Sequence, residues 1–343
     1  MKQHATPKIT DVARVAGVST ATVSRALSKP ETVAKQTREA VLAAAAETGY
    51  RINLAARNLR RRRTGAVVLL VPNLGNPFFS QILAGIEFVL SKKSLSTLMV
   101  DTMQSGTGPD FILDFLHRSR ADGVISLDGS LPSALLNTNE NSSDAPPIVF
   151  GCEWHQVDPF PSVRADNEQG AQLAIEHLTL LGHTKIGYIN GPENNVLSRV
   201  RKSSTIEALK AHGVPVRDEW FFAGNFALEA GAKVARKWLE LEDKPSAIFC
   251  ANDEIAFGLI SELHHSGINI PDKLSVVGYD DIDIAERYIP ALTTVWQPRF
   301  ELGQSVADLL LEAIEHDGFG NSMPIKTLPV KLVVRQSTAP VSQ

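Results

Sequence analysis

Hydrophobic spacing divides this chain into two regimes. Between Ile9 and Thr48 the apolar residues recur at helical spacing, in three short blocks. Val12, Val15 and Ala16 make one face, and Val23, Ala26 and Leu27 a second. An Ala-rich third block runs from about Lys35 to Thr48. Thr10 is the expected N-cap of the first helix, with Asp11 in its first turn. Gly17 allows a turn, Ser19 can cap the second helix and Pro30 closes it. Gly49 stops the third, whose start at Ala34 has no good cap. Two helices joined at a glycine turn are a geometry for laying the second in a DNA groove.

From Thr64 the period changes. AVVLLVP is a continuous apolar run closed by proline, as expected of a buried parallel strand. A helical stretch follows from Phe79 to Leu90, then LSTLMVD, a helix near Asp110–Arg118, and DGVISLD. Strand and helix go on alternating through PPIVFG, QLAIEHLTLLG, KIGYING, a helix near Arg201–His212, SAIFCAND, a helix over Ile255–Ser266, and LSVVGYD. This alternation predicts doubly wound α/β layers with parallel sheets. The roughly 280 residues from Thr64 onward exceed one such sheet, so two lobes are expected.

Charge sharpens the division. The formal charge of −4 hides 13 Lys and Arg against 4 acids in residues 1–63, and 21 against 34 in the remainder. A basic head on an acidic body assigns polyanion binding to the head. A merely solvated basic tail is the rival reading, but these bases sit inside helical patterns. The two cysteines, Cys152 and Cys250, lie in apolar runs and fit structural thiols in a reducing cytoplasm. MKQHATPKIT has no apolar core of a secretory signal, and no apolar run approaches the roughly 20 residues that span a bilayer. A cytoplasmic protein without a membrane partner is expected. His264 and His265 are adjacent on a helix and His183 belongs to a Gly-His turn, so no metal-ligating set is read. G-x-S-x-G, G-x-x-x-x-G-K and G-x-G-x-x-G do not occur, so neither a cofactor nor catalysis is expected.

The second helix is the candidate reader, with Thr20, Ala21 and Arg25 facing outward. Side chains at the start of such a helix reach base edges, and arginine is the best bidentate partner of guanine. A plain three-helix bundle would share the apolar spacing but not the small polar face beside so much positive charge. Behind it, NLAARNLRRRR runs from Asn53 to Arg63. Asn53 can cap a short helix. An outward Leu59 beside four arginines suits either a minor-groove wedge or a linker leucine docked on the body. In the body, polar groups gather at strand ends, where open α/β sheets bind ligands. Asn76, Phe78 and Phe79 follow the first strand, and Arg201 opens a helix after GPENN. Asn252 and Asp253 end one strand, Asp280 and Asp281 another. Carboxylates, an arginine, an amide and aromatic rings together suit a polyhydroxylated ligand. Asp253 and Asp281 read first as helix caps.

Several motifs fall in a familiar order: DVARVAGVSTATVSRAL, Gly49–Tyr50, AARNL at Ala55–Leu59, NPFF at Asn76–Phe79 and ADGVI at Ala121–Ile125. GHTKIGYINGP at Gly182–Pro192, ANDEIAFG at Ala251–Gly258, VVGYDD at Val276–Asp281 and LTTVWQP at Leu292–Pro298 follow. Together they resemble the lactose/galactose repressor (LacI/GalR) family along the whole chain. PEN, NFALEAG, AIFC and QPRFELG resemble its cytidine-repressor branch.

The resemblance implies an all-α helix-turn-helix head over residues 1–52 and a hinge helix and linker over 53–63. It implies an effector-binding and dimerisation body over 64–343, of the two-lobed periplasmic-binding-protein-like fold, with chain crossings near Ala165, Thr293 and Leu328. It also implies a homodimer on pseudo-palindromic, double-stranded operator DNA, answering to a sugar, sugar derivative or nucleoside. Thr20 and Ala21 fall at the base-reading pair and Arg25 at the following contact. Ser19, Thr22 and Ser24 fall at phosphate or backbone contacts. Asn53, Ala56 and Leu59 fall in the hinge helix, with Leu59 the intercalating leucine. Asn76, Phe78, Phe79, Arg201, Asn252, Asp280 and Gln297 fall at effector positions. Phe226 aligns with an aromatic that covers sugar, a core phenylalanine being the rival reading.

Departures limit the transfer. Cys152 stands where family members often place an aspartate, with Glu153 beside it; either Glu153 takes over that contact or the contact is missing. Asn195 and Leu197 stand where Arg, Thr or Ser occur elsewhere, so the effector is not expected to be lactose-like or purine-like. A solute-binding transport protein would share the body fold, but the basic head and the lack of a leader argue against it. So does the lack of a catalytic motif against an α/β enzyme with a DNA-binding head. LVVRQSTAPVSQ carries no heptad tail, which favours a dimer over a tail-linked tetramer. Leu59→Ala is expected to weaken operator binding in a gel-shift titration while leaving the sedimentation of the dimer unchanged.

Overall fold

In the computed structural model of the chain, glycines set where the first and third helices stop. Gly17 and Gly49 take left-handed conformations, with φ of 65° and 67°, that a side chain would strain. They close α1 (Ile9–Ala16) and α3 (Lys35–Thr48), with α2 (Thr20–Ser28) between them. α1 begins at Ile9, so Thr10 lies inside the first turn and does not cap it. The cap position is Lys8, whose backbone N–H donates to the Asp11 carboxylate at 2.9 Å. Val12, Val23 and Val41 are buried with Ala26 and Ala44, and Leu27 packs at the edge of this small core. Val15, expected to join it, is exposed. The structure describes residues 7–50, 64–104, 108–119, 121–131, 146–155, 157, 160–316, 318–320 and 322–341. Asn53, Ala56 and Leu59 therefore lie outside the described residues.

The chain divides into two compact units, Met1–Thr64 and Gly65–Gln343. In the second, the first lobe opens with β1 (Ala66–Val71), α4 (Phe78–Lys92), β2 (Ser96–Asp101) and α5 (Pro109–Ser119). β3 (Gly123–Ser126), β4 (Ile148–Gly151) and β5 (Ser162–Ala165) follow. The chain then passes into the second lobe. There it forms α6 (Asn167–Leu180), β6 (Ile186–Ile189), α7 (Val196–Ala211), β7 (Phe221–Phe222), α8 (Leu228–Glu240) and β8 (Ala247–Cys250). α9 (Asp253–His265), β9 (Ser275–Asp280) and β10 (Thr293–Trp296) complete it. It returns to the first lobe for α10 (Arg299–Glu315) and β11 (Ile325–Leu328), and crosses a last time to β12 (Lys331–Val333).

The two sheets repeat one order, β2–β1–β3–β4–β5–β11 and β7–β6–β8–β9–β10–β12. The pairs are parallel except β10 with β12. This is the doubly wound α/β body that the alternation of apolar runs predicts. Thr293 lies in a strand of the second sheet, so that crossing falls just after Trp296. The short strand β5 carries Arg164 between buried residues, which breaks the apolar run that would have marked it.

Each lobe is bound by a close helix pair. Where α4 meets α10, a Cβ on Gly85 would collide with the Phe300 carbonyl and one on Gly303 with the Ile82 carbonyl. Where α8 meets α9, Gly231 stands against the Ile255 carbonyl and Gly258 against that of Leu228. Backbones this close leave no room for a methyl group. Gly258→Val or Gly303→Val is expected to destabilise the body by about 3 kcal/mol or more, read by urea unfolding.

Candidate functional site

The head presents one polar helix face. Ser19 caps α2: the Thr22 N–H donates to Ser19 Oγ at 3.1 Å, and the two hydroxyls lie 2.9 Å apart. With Val23 and Ala26 turned inward, Thr20, Ala21 and Arg25 are left exposed on the first two turns. The Ser24 carbonyl is taken by the Ser28 hydroxyl at 2.7 Å. Small side chains at the N-terminal end let such a helix approach a groove closely, and Arg25 adds the long reach.

The body gathers its polar groups at the C-terminal ends of both sheets. From the first lobe come Asn76 after β1, Asp128 after β3, and Cys152 and Glu153 after β4. From the second come Asn195 after β6, Asn252 after β8, Asp280 ending β9 and Gln297 after β10. Arg201 is the centre. Its guanidinium is 2% exposed, donates from Nε to Asn167 Oδ1 at 2.8 Å and from Nη1 to the Ala251 carbonyl at 2.6 Å, and lies 3.7 Å above the Tyr279 ring. Asp280 Oδ1 is 3.9 Å away and accepts from Gln297 Nε2 at 2.7 Å. Arg201 does not open its helix, because Asn195 caps α7 six residues earlier. The Asn195 Oδ1 accepts from the N–H groups of Leu197 at 2.8 Å and Ser198 at 3.3 Å.

The lobes also meet through side chains. Glu153 Oε1 accepts from Asn195 Nδ2 at 2.8 Å, while Oε2 accepts from the Gly129 N–H at 2.9 Å. Arg299, at the start of α10, donates from Nη2 to the Asp281 carbonyl and to Asp283 Oδ1, both at 3.1 Å. Its buried Nη1 has no partner among the described residues. Burial pushes the Glu153 carboxyl up to about 7, against the pull of its two hydrogen bonds. Burial likewise raises Asp280 to about 7, with Arg201 and Arg299 opposing. Burial raises the Cys152 thiol as well; Glu153 and Asp280 add to this and Arg201 opposes it, so residues of both lobes share one field.

The remaining expected residues take mixed places. Asn76 Oδ1 accepts from the N–H of Phe78, the first residue of α4, at 2.8 Å. Phe78 and Phe79 are buried in the apolar core, edge to face at 5.2 Å. Asn252, not Asp253, caps α9, and its Nδ2 holds the Phe226 carbonyl at 3.0 Å. Asp253 is fully buried and ties two segments together, accepting from Thr294 Oγ1 at 2.5 Å and the Ile282 N–H at 2.9 Å. Asp281 caps no helix among the described residues and pairs with Arg335 at 2.7 Å. Phe226 is half-buried at the edge of the core. Sequence reasoning missed Asn167, Tyr279 and the Asn195–Glu153 bond, since each depends on a partner far along the chain. It also missed the backbone strain. Cys152, Phe226, Asp280 and Asp281 all have positive φ, between 53° and 118°. Non-glycine residues are held there only where the surroundings over-determine them, and such positions concentrate at binding sites.

Residues 8–53 match the family model for bacterial regulatory proteins of the lacI family, and residues 175–338 match the periplasmic binding protein-like domain. The chain is 34% identical over 339 residues to the HTH-type transcriptional repressor CytR of Escherichia coli (strain K12), covering 98% of both. It is 32% identical over 330 residues to the HTH-type transcriptional repressor PurR of Photobacterium profundum, covering 96% of this chain and 98% of that one. The solved lac repressor dimer, bound to operator and the anti-inducer ONPF, matches with a TM-score of 0.82 at 29% identity, over 98% of this chain and 100% of the other. With the capped reading helix in the head and the two-sheet body behind it, these full-length matches place the chain in the lacI family of bacterial regulatory proteins, as a DNA-binding regulator of transcription.

Proposed function

We propose that the chain is a homodimeric, ligand-responsive repressor that acts on double-stranded operator DNA in the cytoplasm, with genes of carbohydrate or nucleoside catabolism as its targets. The body binds and releases its ligand unchanged. The observation that carries this reading is the Arg201 cluster, a preformed polar centre at the strand ends of the second lobe, on the same helix as Asn195, which bonds Glu153 of the first lobe.

A ligand hydroxyl can take the place of Gln297 on Asp280, or of Asn195 on Glu153, and either exchange alters contacts between the lobes. Lobe angle and hinge pairing change together only if the ligand's affinity differs between the two arrangements. Asn76, Asn252 and Phe226 would line the approach, with Phe78 and Phe79 as packing behind them. Dimerisation is supported by the likeness over 98% of the chain to the solved lac repressor dimer. In the head, Thr20, Ala21 and Arg25 would reach base edges, with Ser19, Thr22 and Ser24 against the backbone. Asn53, Ala56 and Leu59 would form the hinge.

Selection of bound duplexes from a random pool tests the reading, and enrichment of a pseudo-palindrome is the expected result. On the enriched duplex, Arg25→Ala should cost about 1–3 kcal/mol of binding and relax the preference at one position of each half-site. Arg201→Ala should retain duplex binding, with loss of the response to whichever sugar, polyol or nucleoside stabilises the wild type in a thermal-shift screen. Normal calorimetric affinity for that compound in the variant would remove Arg201 from the site. Gln297→Ala, a milder change, gives the same readout if Arg201→Ala does not fold.

A further inference from the structure

The segment after β12 lies across the second sheet at the end opposite the Arg201–Asp280 centre, and its grip is polar. Ser337 is fully buried; its Oγ donates to the Val276 carbonyl at 2.6 Å and accepts from the Thr293 N–H at 2.8 Å. Thr338 Oγ1 is 3.0 Å from Thr293 Oγ1 and 3.0 Å from His177 Nε2 of α6. The Ala339 N–H donates to Ser275 Oγ at 3.1 Å, and the Ala339 carbonyl accepts from His183 Nε2 at 3.0 Å. The Val341 N–H donates to the Leu181 carbonyl at 3.0 Å.

The buried His183 ring is suited to the neutral state. A carbonyl can only accept, so Nε2, which faces Ala339, carries the proton. Nδ1 is then an acceptor, met by the Ser246 hydroxyl at 2.9 Å. A second proton, on Nδ1, would turn that hydroxyl away and leave a charge among partners that are all hydroxyls or a carbonyl. Among the described residues no carboxylate bonds either histidine. Of the charged groups on the neighbouring elements, Lys185 is paired with Asp243 and Arg335 with Asp281, and Lys244 lies over the Trp238 ring. Asp272 and Lys273, before β9, are exposed. Burial holds both rings below their ordinary value of 6.5; His183 adds to this on His177, and the Ala339 carbonyl opposes it on His183.

We propose that His177 and His183 form a pH-sensitive latch, which holds residues 335–341 on the second lobe while both rings are neutral and releases them on protonation. The docked segment binds fewer protons than the released one. Docking is therefore complete above about pH 6.5 and weakens as the pH falls below it. The segment carries Arg335, which pairs with Asp281 at 2.7 Å and donates to the Leu292 carbonyl at 2.8 Å. Asp281 follows Asp280, so release takes a support from the loop that ends β9. The latch is independent of what binds between the lobes.

Amide hydrogen exchange on the full-length protein, read by mass spectrometry and corrected for intrinsic rates, tests this. The reporting amides are those of Arg335, Gln336, Ala339 and Val341, which are hydrogen-bonded to Thr293, Ala291, Ser275 and Leu181. Between about pH 7 and pH 5.5 their opening constant is expected to rise about tenfold or more, while that of the β8 amides stays level. His183→Gln supplies a neutral donor and acceptor in place of the ring and should keep the segment docked with the rise abolished. Should that variant not fold, His177→Gln, which removes the neighbouring charge, should reduce the rise. A segment whose opening is level with pH in the wild type would overturn the proposal. So would an equal rise in β8, which marks global unfolding, or a rise that persists undiminished in the glutamine variants.

Discussion

A guanidinium that is almost wholly removed from water dictates the organisation of the second lobe. Arg201 cannot be neutralised, so its charge has to be met inside the protein. The groups that meet it come from separate segments: Asn167 from the start of α6, the Ala251 carbonyl after β8, and Tyr279 and Asp280 from β9. One buried cation thus fixes a helix start and two strand ends relative to one another. Asp280 passes the constraint on through Gln297, which lies on the segment returning to the first lobe. A cluster built this way is held in place before anything binds, and whatever displaces one member disturbs the rest.

The parts of this molecule legible in its sequence are those set by local pattern. The buried strands β1, β8 and β9 read as apolar runs because both faces of a parallel sheet are covered. α2 reads from its Ser19 cap and its buried Val23 and Ala26. Illegible parts arise where tertiary structure overrides pattern. Thr10 looks like a cap, but the cap falls two residues earlier, at Lys8, whose exposed N–H the Asp11 carboxylate accepts. Arg201 looks like a helix start because GPENN resembles a loop; Asn195 within it is the cap.

The candidate site is legible in its residue types more than in its connections. Arg201 and Asp280, read from the strand ends, do come together, and Gln297, named only through the family resemblance, joins them. Asn252 is occupied first with capping α9 and holding Phe226, and Phe78 and Phe79 with the core. Nothing in the sequence marks the positive φ of Cys152, Phe226 or Asp280, since none of them is a glycine. The bond between Glu153 and Asn195 joins residues 42 apart in different lobes, beyond the reach of any periodicity.

The glycine-backed helix pairs, Gly85 with Gly303 and Gly231 with Gly258, have a mechanical consequence. They stiffen each lobe against internal shear, leaving the three crossing segments as the compliant joints. The body then behaves as a pair of rigid jaws with one soft coordinate, the angle between them. A ligand of any shape is reported to the rest of the molecule as a single number. Residues at the facing strand ends, such as Asn195, Leu197 and Cys152, are therefore free to diverge without redesign of the helix pairs that keep each jaw rigid.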